Sequence, residues 1–164
     1  MPIRPIPLAS AVVLLAVRVA SAQAPQPAHP TAPRPPEYYS AATLARTADS
    51  LRTQHTVARV LGDRGTYQYV LVVRDTTAGA EQHEKWTDVM LVQSGTATVL
   101  LGGRYEGSHL DAPGELRGGR IVGATSRVVS AGDLLVIPAG VPHQVQIAPG
   151  GVVRYVTIKA PESR

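Results

Sequence analysis

The sequence predicts an all-β domain, a sandwich or barrel, entered through a single helix. Three observations carry this. From Thr56 onward the chain breaks into about nine short apolar or alternating runs, punctuated by Gly and Pro, with no helical period between them. Two of those runs, Thr87 to Gln93 and Thr96 to Leu101, flank Ser94-Gly95, which is the pattern of a hairpin. The stretch Gly132 to His143 reads as turn, strand, turn, with Pro138, Gly140 and Pro142 barred from a central strand and so turning the chain through a corner.

Taken in order, residues 1–22 have the three parts of a secretory signal peptide. Arg4 supplies the positive start, Leu8 to Val17 an apolar run too short to span a bilayer stably, and Ala20-Ser21-Ala22 a small-residue cleavage site before Gln23. The protein is therefore expected to be exported, periplasmic or secreted, with no stable membrane span once the leader is cleaved; Arg18, late in the apolar run, keeps a retained anchor open as the alternative. Residues 23–36 form a linker in which six of fourteen positions are Pro, so an extended segment is expected. His29 within it has no neighbour to cooperate with.

Residues 37–55 are expected to hold the helix, from Tyr38 to Thr53. Ser40 is placed to cap it, and Leu44, Ala48 and Leu51 recur at helical spacing while Arg46, Asp49 and Arg52 face away. Residues 56–164 then supply the β domain. Its strands are Val57 to Leu61, Thr66 to Arg74, Thr87 to Gln93, Thr96 to Leu101, Ile121-Val122, Ser126 to Ser130, Leu134 to Ile137, His143 to Ala148 and Val152 to Lys159. On the second of these, Tyr67, Tyr69, Leu71 and Val73 share a face, and the two tyrosines either line the interior or pack under the helix. Arg104 to Arg120 reads as one long Gly-rich connection, of the kind that serves as a lid, a binding loop or a subunit contact.

Composition excludes several functions. The 164 residues contain no Cys, which rules out disulfides, thiolate metal sites and a Cys nucleophile. The formal charge is +4; without residues 1–22, which hold two of the 16 basic residues, it is 14 − 12 = +2, with no basic cluster, so nucleic acid is not an expected partner. No phosphate-binding Gly loop, nucleophile elbow or Ser/His/Asp set is present.

The corner at Gly132, Pro138, Gly140 and His143 resembles the second motif of the cupin superfamily: Gly, five residues, Pro, one residue, Gly, two residues, His. The family pattern continues to an Asn, where this chain has Ile147. The first cupin motif is His, one residue, His, three or four residues, an acid, six residues, Gly. Glu81, His83, Asp88 and Gly95 match it, with Glu81 in place of the first His and Asp88 in place of Glu. The resemblance covers roughly residues 66–158. It implies a double-stranded β-helix, or jelly-roll barrel, frequently a homodimer, with the pocket inside.

Glu81 and His83 lie two apart, so on a strand they share a face, as do Asp88, Met90 and Val92, and His143, Val145 and Ile147. If those faces point inward, two imidazoles and up to two carboxylates converge. Such an N/O set suits one divalent transition metal, Fe, Mn, Zn, Ni or Cu, with positions left open for a ligand. His83 and His143 are the expected ligands, with Asp88 and Glu81 as further ligands, as catalytic bases, or, for Asp88, as a residue orienting a ligand. The function expected is metal-dependent, oxygenase-like or isomerase-type chemistry on a small organic molecule; the alternative is a metal-free barrel binding a sugar or other small ligand. Trp86 is read as packing, His109 as a solvated loop residue and His55 as part of the helix exit.

Overall fold

A computed structural model describes residues 34–162. The expected leader and most of the Pro-rich linker, with His29, lie outside the described residues. The folded unit that carries the helix and the strands begins at Tyr38.

Helix α1 runs from Ala41 to Thr53. Ser40 adopts an extended backbone and its hydroxyl accepts from the Thr43 N–H at 3.1 Å, which satisfies one of the free donors of the first turn. The buried face is Leu44, Ala48 and Leu51, packed on Leu71 and Val73. His55 closes the helix at φ 52° and is exposed. Among the described residues, no helix is long and apolar enough to cross a membrane.

Twelve strands follow: β1 (Ala58–Asp63), β2 (Gln68–Arg74), β3 (Glu81–His83), β4 (Trp86–Leu101), β5 (Arg104–Glu106), β6 (His109–Ala112), β7 (Glu115–Arg117), β8 (Arg120–Val122), β9 (Thr125–Ser130), β10 (Leu134–Ile137), β11 (His143–Gln146) and β12 (Val153–Pro161). All pairings are antiparallel. The first half of β4 lies between β12 and β10, continuing outward to β2 and β1; its second half lies between β9 and β11, continuing to β3, β7 and β6. One long strand thus belongs to both layers of a curled sheet, and the apolar core lies between them. That core is built from small and β-branched residues such as Val72, Val92, Val99, Val145 and Val153, which suits a pleated surface in a chain without Phe.

Two expectations need correction. Ser94-Gly95 is not a hairpin turn: β4 passes through it without reversing. Gly95 has φ 77°, a Cβ there would overlap the Val152 carbonyl, and the pairing of β4 with β12 shifts register at Arg154/Tyr155. The glycine therefore serves a bulge that bends the strand from one layer into the other, where two apolar runs around a Gly read equally well as a turn. Nor is Arg104 to Arg120 an unstructured connection. Left-handed glycines at 107, 114, 118 and 119 fold it into the short strands β5, β6 and β7 and lead into β8; these three and β3 are additional to the expected strands, while two expected strands are joined in β4. Its strand β7 pairs with β3 and faces the site.

Tyr69 lies on the outer face of β2, edge-on to Tyr39 at 6.1 Å, and Tyr67 is exposed beside it. Both belong to the helix side of the sheet rather than to the interior.

Candidate metal centre

The corner from Ile137 to His143 is clamped from several sides. Gly140, at φ 77°, donates its N–H to the His83 carbonyl at 2.7 Å, and the buried Ala139 donates to Glu162 Oε2 at 3.0 Å. Glu162 also accepts from the Thr87 hydroxyl. Pro138 and Pro142 need no N–H partners, so this short segment satisfies its backbone with few contacts. The corner delivers His143 as the first residue of β11, paired in register with Glu81 of β3. The neighbouring pairing puts His83 opposite Glu115 of β7.

His83 and His143 are each 3% exposed, and their ring centroids stand 5.3 Å apart. Each imidazole is held by the nitrogen facing away from the other donors. His83 Nδ1 lies 2.6 Å from Glu115 Oε2, and His143 Nδ1 donates to the Val141 carbonyl at 3.0 Å. Both Nε2 atoms are therefore left as lone-pair donors, the arrangement seen for imidazoles that ligate metals. Glu81 Oε1 is 3.3 Å from His143 Nε2, and its other oxygen pairs with Arg117. One ligand atom from each of Glu81, His83 and His143 falls within 4.8 Å of the others, so this group could hold a metal ion.

Asp88 stands beside that set, with Oδ2 3.4 Å from His83 Nε2 and 3.8 Å from His143 Nε2. Its Oδ1 accepts from Lys159 Nζ at 2.8 Å, and the same ammonium lies 3.0 Å from His83 Nε2. Burial pushes the Asp88 carboxyl up, but the contact with His83 and the Lys159 charge outweigh it and hold the group below its ordinary value. The Lys159 ammonium thus sits on a carboxylate and an imidazole lone pair at once. It is a cation in a site shaped for one, and the donor set fits a metal with Lys159 as its competitor.

Burial also controls His143. It lowers the imidazole pKa from 6.5 to about 4; the Val141 carbonyl and Asp88 oppose the shift, and His83 and Lys159 add to it. The ring is neutral at pH 7 and binds a cation without first losing a proton. The unfolded chain takes up this proton first as the pH falls. The associated stability is thus fully present above about pH 6.5 and is lost progressively toward pH 4, to the extent of about 3 kcal/mol. Urea midpoints of the metal-free protein should drop across this range more steeply than those of His143→Gln. Equal slopes for the two proteins would show that His143 does not titrate in this way.

The centre opens onto a cavity of about 160 Å³ between the two layers. Apolar residues such as Val70, Val72, Met90 and Val145 line part of it, and Arg74, Arg117, Lys159 and Thr157 supply polar groups. Trp86, half-buried at the start of β4 opposite Pro161, does not line it, and the exposed His109 lies on β6 away from it. Glu115, Arg117 and Lys159 are the site residues that reading the sequence missed. Lys159 carried one signal: it continues the inward alternation Val153, Tyr155, Thr157 of β12.

The sequence matches no family model and no curated protein. Solved structures do match. The BH2720 protein of Bacillus halodurans aligns with 81% of this chain and 86% of its own at 20% identity and a TM-score of 0.54. A cupin-2 domain protein of Shewanella frigidimarina aligns with 71% of this chain and 91% of its own at 21% identity and a TM-score of 0.46. The polyketide cyclase RemF of Streptomyces resistomycificus aligns over 65% of each chain at 21% identity and a TM-score of 0.45.

The fold is that of the cupins. In cupin terms the Glu81/His83 strand and the His143 corner are the two motif segments, and the residues that depart from the motifs, Glu81 and Asp88, both face the cluster. The third departure, Ile147, packs against the apolar core instead.

Proposed function

We propose that this cupin is an exported, metal-dependent enzyme acting on a small organic molecule, with oxygenase-type chemistry as its reaction class. The observation that supports the reading is the convergence of Glu81, His83 and His143 at a cavity wall, each imidazole oriented by a bond from its far nitrogen. A divalent Fe, Mn, Zn or Ni ion bound there would supply a Lewis acid with open positions. The chain's own residues do the rest. His83 and His143 turn their Nε2 atoms toward the centre, and Glu81, tethered by Arg117, presents one oxygen. Asp88, held ionised, is an acceptor for a substrate proton once Lys159 moves off it, though its lowered pKa makes it a weak base. The apolar wall excludes water. Chelator-stripped protein titrated with Fe(II), Mn(II), Zn(II) or Ni(II) should take up about one ion per chain.

A second reading is favoured by the Lys159 ammonium at 3.0 Å from His83 Nε2. In it the lysine is the permanent cation of a metal-free barrel that binds a sugar or other small ligand without turnover. Failure to take up any of the four metals would select this reading.

Export rests on the leader pattern of residues 1–22, and the secreted chain should begin at Gln23 by N-terminal sequencing; a full-length chain in membranes would refute it. A homodimer is supported by the outer sheet face next to α1. There Leu91, Leu134, Val136 and Ile158 are 42–62% exposed on three adjacent strands, and paired sheets would cover them. Sedimentation showing only monomer at micromolar concentration would exclude it.

A further inference from the structure

We infer that the substrate of this site is a small organic acid, its carboxylate held by Arg74 and a second oxygen hydrogen-bonded to Thr157. The inference deepens the proposed function and rests on the same cavity.

Three cationic side chains line that cavity: Arg74, Arg117 and Lys159. Two of them are already paired with carboxylates. Arg117 is held by Glu81 and Glu115, and Lys159 by Asp88. Arg74, the last residue of β2 on its inner face, is different. Among the described residues it pairs with no carboxylate, and its bond is from Nε to the Tyr155 hydroxyl at 3.3 Å. It is half-buried, and its charge, second to burial, holds down the pKa of Arg117. The charge of Arg117 is met by its two carboxylates, whereas that of Arg74 meets none among the described residues and is left for an incoming anion. A guanidinium fork matches a carboxylate in shape and charge.

The second observation is independent of charge. Thr157 is 6% exposed, lines the same cavity, and its Oγ1 has no hydrogen-bond partner. A buried hydroxyl left unpaired is destabilising, so an orphan on a cavity wall marks the place of a ligand oxygen or an ordered water. Thr157 sits one inward step along β12 from Lys159 and one from Tyr155, between the cluster and the hydroxyl that Arg74 contacts.

Size and lining narrow the class. A volume of about 160 Å³ is close to the roughly 150 Å³ that admits one benzene molecule. With Val70, Val72, Met90 and Val145 on the wall, the body of the ligand is apolar and of about six to ten non-hydrogen atoms.

Calorimetric titration of chelator-stripped and Zn(II)-loaded protein with pyruvate, succinate and benzoate tests this, with benzamide and inorganic phosphate as controls. At least one of the acids should bind in both forms, and benzamide at least about tenfold more weakly than benzoate if benzoate is the acid bound. Arg74→Met should weaken acid binding about tenfold or more with Zn content unchanged, and Thr157→Val severalfold. Should Arg74→Met not fold, Arg74→Lys, which keeps the charge and loses the fork, should still weaken binding. Acid affinity unchanged in these variants would overturn the inference, as would benzamide binding as tightly as benzoate, phosphate outcompeting every acid, or no acid binding below roughly 10 mM. The two readings fail separately. Arg74-dependent acid binding in a protein that takes up no Zn removes the metal and keeps the acid; Zn uptake with acid binding indifferent to Arg74 does the reverse.

Discussion

Replacing His143 with Ala should reduce bound metal from about one ion per chain to background, a loss of at least a hundredfold in affinity, read by elemental analysis after dialysis. The imidazole is the donor that the fold prepares most completely. It is 3% exposed, its Nδ1 is committed to the Val141 carbonyl, and burial keeps it neutral with a pKa of about 4. Asp88 is the nearest substitute, its Oδ2 3.8 Å from the same nitrogen, but it lies beside the three-residue group rather than in it, and the Lys159 ammonium on its Oδ1 repels an ion drawn to that side. The remaining pair, His83 and Glu81, would hold an ion by only two atoms, which is too few to retain it through dialysis. Full metal retention in His143→Ala would place the ion elsewhere. The variant should remain folded, because removing this ring spares the β11–β4 pairing.

Lys159→Met should act in opposite directions on the metal-free and the metal-loaded protein. Without metal, the substitution strips Asp88 of its ammonium while that carboxylate is only 7% exposed. Breaking a buried pair from one side costs about 3–5 kcal/mol, limited here by the access of water to Lys159. With metal, the competing cation is gone from His83 Nε2 and the charge repelling the ion is gone with it, so affinity should rise about tenfold or more. Met preserves the length of the apolar stem, so the cavity wall is kept. Thermal melts with and without Zn(II) read both effects together: a lower melting temperature for the stripped variant and a larger rise on metal addition than in the wild type. A smaller rise would mean that Lys159 supports the site rather than competes for it.

Much of the site was legible because its chemistry is local. Pro138, Gly140 and Pro142 can do little but turn the chain, and a histidine placed after them must open the next strand. Ser40 and the spacing of Leu44, Ala48 and Leu51 mark α1 in the same way. Glu81 and His83 share a face because a strand repeats every second residue. What was not legible depends on partners distant in sequence. Ser94-Gly95 reads as a turn until Val153, 58 positions away, pairs with Gly95 and makes the strand continuous. Glu115 and Arg117 looked like loop residues because Gly-rich polar sequence carries no period; only their pairing with β3 brings them to His83 and Glu81. The meeting of His83 and His143 came from the cupin resemblance and not from spacing, since nothing in a 60-residue separation specifies a contact. Lys159 was passed over because a lysine near a strand end normally points to water.

The central claim is that two imidazoles and a carboxylate, carried on the paired strands β3 and β11, form one cation site. X-ray absorption at the metal edge of Zn(II)-loaded protein addresses it directly. Nitrogen and oxygen donors at about 2.0–2.2 Å, with the multiple scattering of two imidazole rings, are expected. A spectrum fitted by oxygen donors alone, with no imidazole scattering, would contradict it.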